Sequence, residues 1–239
     1  MLSKIILRAL KKGGNVMDRV SHSSLFNLLR VLSVVFLLLT SLAYAEEKPE
    51  DKELAAVLAQ ITQLQQRLDQ NPSDYEALRD LGIAYHNAAL KDSKVYAKKA
   101  IEYLEKAHAK KMDDNVVLCY LGSAYTLLAK DASNPMDQMS FVNKGVEYMD
   151  KAARKDPDNI TIRMTRANNS KSLPKFLNRR PIAYEDFEHL AGLFEKGLKV
   201  PFQLKTSVYH SLAALYREDG DVAKAQKYQT MAETVQKEK

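Results

Sequence analysis

Cysteine, tryptophan, glycine and proline are scarce: of 239 residues, one is Cys, none is Trp, eight are Gly and seven are Pro. A single thiol excludes an internal disulfide framework and a cysteine-based zinc cluster. So few turn-formers exclude a β-rich or low-complexity chain. The histidines, at positions 22, 86, 108, 189 and 210, show no His-x-x-x-His spacing, and no glycine-rich phosphate loop occurs. A one-signed charge is also missing from most of the chain. The net charge is +6, but residues 1–45 hold six basic residues and one acid, and residues 46–239 hold 30 basic and 29 acidic ones. A near-neutral body excludes a generic nucleic-acid-binding surface. What remains is 46% hydrophobic and 28% charged, rich in Ala, Leu, Lys, Glu, Gln and Tyr. That composition favours helices and can bury a core.

Residues 31–42 form an apolar run broken only by Ser and Thr, preceded by Arg30 and followed by Ala43-Tyr44-Ala45. This order predicts a signal peptide over 1–45, cleaved after Ala45, with Met17 as an alternative start. The run is short for a bilayer span. The competing reading is an uncleaved helix that anchors the chain to the inner membrane. No Cys follows Ala45, so a lipoprotein is not expected. On either reading the body works outside the cytoplasm, in the periplasm or secreted.

The body repeats itself. Leu78, Leu81, Gly82 and Tyr85 are followed by Ala100, Leu104 and Ala107. The same spacing recurs as Leu118, Leu121, Gly122, Tyr125, then Gly145, Met149, Ala152, and as Tyr209, Leu212, Ala213, Tyr216, then Ala225, Gln229, Ala232. Small residues at fixed spacing let paired helices approach, and the bulky ones fill the space between them. Asn71-Pro72-x-Asp74 and Asp156-Pro157-Asp158-Asn159 read as turns between units.

These spacings, with Leu-Gly-x-x-Tyr at 81–85 and again at 121–125, resemble the tetratricopeptide-repeat family over about residues 70–239. The resemblance implies an all-α fold: a right-handed superhelical array of antiparallel helix pairs, with three and a half to four repeats. The domain expected is 71–239, preceded by a capping helix within 46–70, where Leu54, Val57, Leu58, Ile61, Leu64 and Leu68 recur every three or four residues. A short dimerising coiled coil is the alternative for that helix, and a homo-oligomer through it is carried with that alternative.

Departures from the repeat are as informative. About six extra residues fall near Lys91–Lys94 and about eleven near Asp131–Asp137. The third unit is degenerate: Arg163, Arg166, Ala167 and Ser170 stand at the signature positions, and only Ala167 conforms. Its linker, 171–181, carries Pro174 and Pro181, which forbid one continuous helix. Two outcomes are open for that segment. Phe176 and Leu177 pin it to neighbouring helices while its cations stay in water, or Lys171, Lys175, Arg179 and Arg180 form a docking site for an acidic partner segment.

No arrangement of nucleophile, base and acid is legible, so an enzyme is not expected, nor are cofactors or metal ligands. Cys119 is read as a small buried apolar side chain, the alternative being a thiol that meets a redox partner. Stacked helix pairs line an inner face with their first helices. Repeat position places Arg79, His86, Asn87, Ser123, Thr126, Asn168, Lys171, His210 and Arg217 on that face, with Ile83, Met164 and Ser211 between them; Arg179 and Arg180 complete the candidate set. A polar, slightly basic groove suits an extended peptide or acidic terminus. The functional expectation is an exported scaffold that binds a protein or peptide partner, as adaptor or assembly factor for a cell-envelope complex. The alternative is a periplasmic client-specific chaperone, for example in cytochrome c maturation. No nucleic acid is expected, and membrane contact only through an uncleaved leader.

Overall fold

The computed structural model describes residues 49–237, and over them the chain forms helices and no strand. α1 spans Pro49–Gln70, α2 Tyr75–Lys91, α3 Ser93–Lys110, α4 Asn115–Ala129 and α5 Pro135–Lys155. Then come α6 Ile160–Ser172, a 3-10 turn at Lys175–Leu177, α7 Arg180–Glu195, α8 Phe202–Glu218 and α9 Val222–Lys237. The expected leader and its cleavage site lie outside the described residues. Among the described residues no helix is long and apolar enough to cross a membrane.

Short polar residues set the helix starts. Asp74, Asp92, Asp114, Asn134 and Asn159 each accept a backbone N–H of the first turn of the helix they precede, satisfying donors that would otherwise be orphaned. Two helices stop on left-handed glycines. Gly197 (φ 97°) follows α7 and Gly220 (φ 82°) follows α8, where an L side chain would be strained. The N–H groups of Leu198 and Asp221 then reach back to the carbonyls of Leu193 and Tyr216.

The extra residues of the first two units lengthen helices more than loops. Only Asp92 separates α2 from α3; its N–H bonds to the Ala88 carbonyl while its carboxylate caps α3 at Val95. In the second unit α5 reaches 21 residues, started by Pro135 in its first turn. The third linker breaks as its prolines require: α6 stops at Ser172, and Pro181 sits in the first turn of α7.

Hairpins α2/α3, α4/α5, α6/α7 and α8/α9 stack into an all-α solenoid. The first helices α2, α4 and α6 also touch one another, which puts them on one side of the array. α1 lays Ile61 and the half-buried Leu54, Val57, Leu58, Leu64 and Leu68 on the apolar core of α2–α4. Closest approach is in the second unit. A Cβ on Gly122 would lie 2.5 Å from the Gly145 carbonyl oxygen, and one on Gly82 would lie 2.7 Å from Leu104 Cγ.

Three tyrosines, Tyr85, Tyr125 and Tyr216, face the preceding unit in the same register. Gln65 donates to the Tyr85 hydroxyl, while Tyr125 and Tyr216 donate to Glu105 and Glu188. A lysine lies over each ring: Lys99, Lys144 and Lys224 at 5.3, 4.1 and 4.6 Å from the centroids. Each also meets a tyrosine of its own second helix: Tyr85 stacks on Tyr103 and Tyr216 on Tyr228, while Tyr125 meets Tyr148 edge to face.

The third unit replaces that arrangement as a set. Ser170 stands where the facing tyrosine would be, and Asp186 where the stacking tyrosine would be. Arg163 and Arg166, at the leucine positions, are buried with Asp186, which is fully enclosed. Asp186 accepts from Arg163 Nη1 at 2.6 Å and from Arg166 Nε and Nη2 at 2.8 and 2.7 Å. Burial works against the charge of Arg166, but its bonds and attraction to Asp186 outweigh that and push its pKa further up. Asp150 holds the register place of Glu105 and Glu188. It receives Arg179 Nη1 and Nη2 at 2.9 and 2.7 Å, and Arg166 Nη1 at 3.2 Å.

Two expectations for the 171–181 segment are therefore corrected. Arg179 and Arg180 are not free cations. Arg179 fills the place of a missing tyrosine, and Arg180 bonds Asp219, Glu218 and the Leu215 carbonyl. Nor does Phe176 pin the segment: it is 77% exposed. Arginine pairing, not aromatic burial, fastens this stretch to its neighbours.

Candidate functional site

A cavity of about 250 Å³ opens between α2, α4 and α6. Its floor is a hydrogen-bonded chain, and the donor sense of each link follows from chemistry. The Asn87 side-chain oxygen can only accept, so the proton of His86 sits on Nδ1 and is donated to it at 3.3 Å. His86 Nε2 then accepts from the Ser123 hydroxyl at 2.8 Å. Asn169 donates to Ser123 Oγ at 3.5 Å and to Thr126 Oγ1, and Thr126 donates to the Ser123 carbonyl at 2.7 Å. Burial drives His86 down to about 4, so the ring is neutral near pH 7 and the chain carries no charge. Tyr120 abuts the ring edge-on at 5.0 Å. Leu90, Leu127, Met164 and Leu173 supply apolar wall, and Lys130 is the one charged residue lining the cavity.

Of the residues expected in the groove, His86, Asn87, Ser123, Thr126 and Asn168 line this cavity, as does Met164. The others are placed elsewhere. Arg79 is paired with Glu76 and Asp80 at 2.5 and 2.9 Å. Lys171 lies over the Phe187 ring at 5.7 Å, and His210 and Arg217 are exposed on α8. Arg179 and Arg180 are committed to the ion pairs above. Cys119 faces the core instead: it is 1% exposed, its thiol donates to the Ile162 carbonyl at 3.7 Å, and burial pushes its pKa up. That is the small apolar side chain the sequence favoured, and a surface thiol is excluded.

Sequence reasoning missed Asn169, Tyr120, Lys130 and Leu173. For Asn169 a signal existed. It stands at the repeat position occupied by Ala84, Ala124 and Leu215 in the other units, so an amide there is anomalous. Its Oδ1 is buried with no hydrogen-bond partner among the described residues. Among those residues no group of three His, Cys, Asp or Glu side chains could hold a metal ion.

The fold is a helical-repeat array, and solved structures share it. The thermophilic tetratricopeptide-repeat protein TTC0263 of Thermus thermophilus superposes with a TM-score of 0.59 at 19% identity, over 77% of this chain and 84% of that one. A crystal structure of MamA superposes with a TM-score of 0.51 at 16% identity, over 80% of this chain and 96% of that one. No protein-family model and no curated protein matches the sequence. At these identities the likeness defines the fold: a tetratricopeptide-repeat-type solenoid.

Proposed function

We propose that the α2–α4–α6 groove binds an extended segment of another protein, making the molecule a non-catalytic scaffold. The observation that supports this most directly is the cavity itself. It joins an uncharged floor of fixed hydrogen bonds to apolar walls on the side that the first helices share. A rigid, prepaid polar floor lowers the ordering cost of binding, and mixed polar and apolar lining is how pockets combine affinity with orientation. On the sequence of residues 1–45, the scaffold is exported and serves a cell-envelope complex. The second reading, a client-specific periplasmic chaperone, shares the groove and differs in how many partners use it.

Two exposed sites separate groove binding from chance contact. A photo-crosslinking amino acid is placed at Asn168, on the groove wall, or at Lys227, on α9, in cells expressing the full chain. Capture of one partner at Asn168 and not at Lys227 supports the scaffold, and a family of related clients at Asn168 supports the chaperone. Equal capture at both sites would sink the groove. N-terminal sequencing of the exported protein tests the leader: a start at Glu46 is expected, and a full-length membrane-bound chain establishes the anchor.

A further inference from the structure

The helix face that floors the cavity changes character along the array. His86 in α2 and Thr126 in α4 hold the same repeat position, and each is buried, only 4% exposed. In α6 and α8 that position belongs to Lys171 and Arg217, and both are exposed. His210 lies two turns before Arg217 on the same face of α8. Lys130, the residue that ends α4, lines the cavity and is exposed as well.

Free carboxylates are missing from these first helices. α4 and α6 contain no Asp or Glu. α2 and α8 contain three, and each is already paired: Glu76 and Asp80 with Arg79, and Glu218 with Arg180. Just beyond α8, Asp219 accepts from Arg180 and Tyr184, and Asp221 lies 3.9 Å from Lys224. Lys130, Lys171 and Arg217 form no ion pair among the described residues. Lys171 rests its ammonium group over the buried Phe187 ring instead. One exposed cation is ordinary surface. Three without anions, running on from an uncharged and partly apolar seat, make a strip of one sign that attracts the opposite one.

We propose that the partner segment is extended and acidic, with one large apolar side chain in the α2–α4–α6 cavity and carboxylates on Lys130, Lys171 and Arg217. This rests on the groove reading and adds the chemistry of what the groove takes. A volume of about 250 Å³ walled by Leu90, Leu127, Met164 and Leu173 suits one such side chain, and its burial supplies most of the attraction. Exposed charge pairs are individually weak, so the cations select the partner more than they hold it. Lys171 and Arg217 stand one unit of the array apart. Packed helices lie about 8–10 Å from one another, and an extended chain rises about 3.3 Å per residue. The acids that meet these two cations are therefore side chains at least about three residues apart, not the paired carboxylates of a chain end.

Peptide selection on the full chain in mild detergent tests this chemistry. The probe is a displayed library of random peptides about 12 residues long, which span about 40 Å when extended. Enriched peptides should carry a large apolar residue and, to one side of it, Asp or Glu at intervals of three or more residues. Asn168→Trp, which fills the cavity mouth, should abolish their binding. Lys171→Glu with Arg217→Glu should weaken it several-fold. Selection on that double variant should enrich Lys or Arg where the parent enriches Asp or Glu. Lys227→Glu, on α9, should change neither result. Unchanged melting of every variant is checked first. If the peptides carry no excess of acids, or if the charge-reversed protein selects the same acids as the parent, this inference is overturned, while loss of binding to Asn168→Trp keeps the groove. Peptides that bind Asn168→Trp as well as they bind the parent sit elsewhere, and the groove reading falls together with this one.

Discussion

Replacing Asp186 with Ala strips the third unit of the anion at its centre. Asp186 is wholly enclosed, and Arg163 and Arg166 have side chains only 9% and 6% exposed. Three hydrogen bonds to charged donors disappear at once. Two guanidinium groups stay buried with Glu185 and Asp150 as their remaining anions, and Glu185 is 54% exposed. Breaking a buried pair by removing one partner costs about 3–5 kcal/mol, because a charge is left without compensation. In a fold of this size each kcal/mol lowers the melting temperature by roughly 2–4 °C, so a drop on the order of 10 °C is expected. The reverse experiment restores what the other units have: Arg163→Leu, Arg166→Leu and Asp186→Tyr together. Hydrophobic replacement of a whole buried ion cluster is often neutral or stabilising by about 1–4 kcal/mol. Thermal unfolding followed by helical circular dichroism at pH 7 measures both. If Asp186→Ala melts within about 2 °C of the parent, the cluster does not hold this unit together and the reasoning fails.

Gly122→Ala forces a methyl group against the backbone of Gly145, which cannot swing aside as a side chain can; a loss of about 1–3 kcal/mol in urea unfolding is expected. His86 has its pKa lowered from 6.5 to about 4, so above pH 6.5 neither folded nor unfolded ring is charged and no stability depends on it. As pH falls from 6.5 towards 4 the unfolded ring takes up a proton that the folded one refuses, and stability drops by roughly 3 kcal/mol. His86→Asn should flatten that part of the pH profile, and an unchanged slope would place the titration elsewhere. Arg179→Ala removes a bidentate bond to Asp150 and should cost about 1.5–3 kcal/mol, whereas Lys175→Ala should stay within about 0.5 kcal/mol in the same melting assay.

The helix pairs were legible because their signals are local and repeated. Gly82, Gly122 and Gly145 mark close approach, and the turn signals at Asn71-Pro72-x-Asp74 and Asp156-Pro157-Asp158-Asn159 mark boundaries between units. The third unit was legible as an anomaly but not as a solution. Three departures at signature positions, Arg163, Arg166 and Ser170, looked like decay, because the partner that makes sense of Arg163 and Arg166 stands about twenty residues later, at Asp186. The same distance hid the role of Arg179, whose carboxylate partner is Asp150 in the preceding unit. A cation in a sequence shows its charge but not whether the fold already neutralises it. Half of the groove followed from repeat position; Asn169 did not, since its position normally faces the neighbouring helix.

Both anomalies belong to one thirteen-residue helix, α6. Towards α7 it presents Arg163 and Arg166 to Asp186, and towards α4 it presents Asn169 to Thr126 and Ser123. Its apolar contribution to the core is correspondingly thin, with Ile162 and Ala167 as its fully buried hydrophobic residues. Apolar packing is non-directional and tolerates sliding, whereas a buried polar partner lost to a shift of register leaves a desolvated group behind. Directional bonds on both sides therefore hold α6 in one register, including the side that walls the cavity. An alanine in place of Asn169 would remove the donor to Ser123 and Thr126 and leave an ordinary small-residue seam between α4 and α6. The departure from the repeat that weakens the family pattern in the third unit is thus the same departure that gives the groove a polar floor.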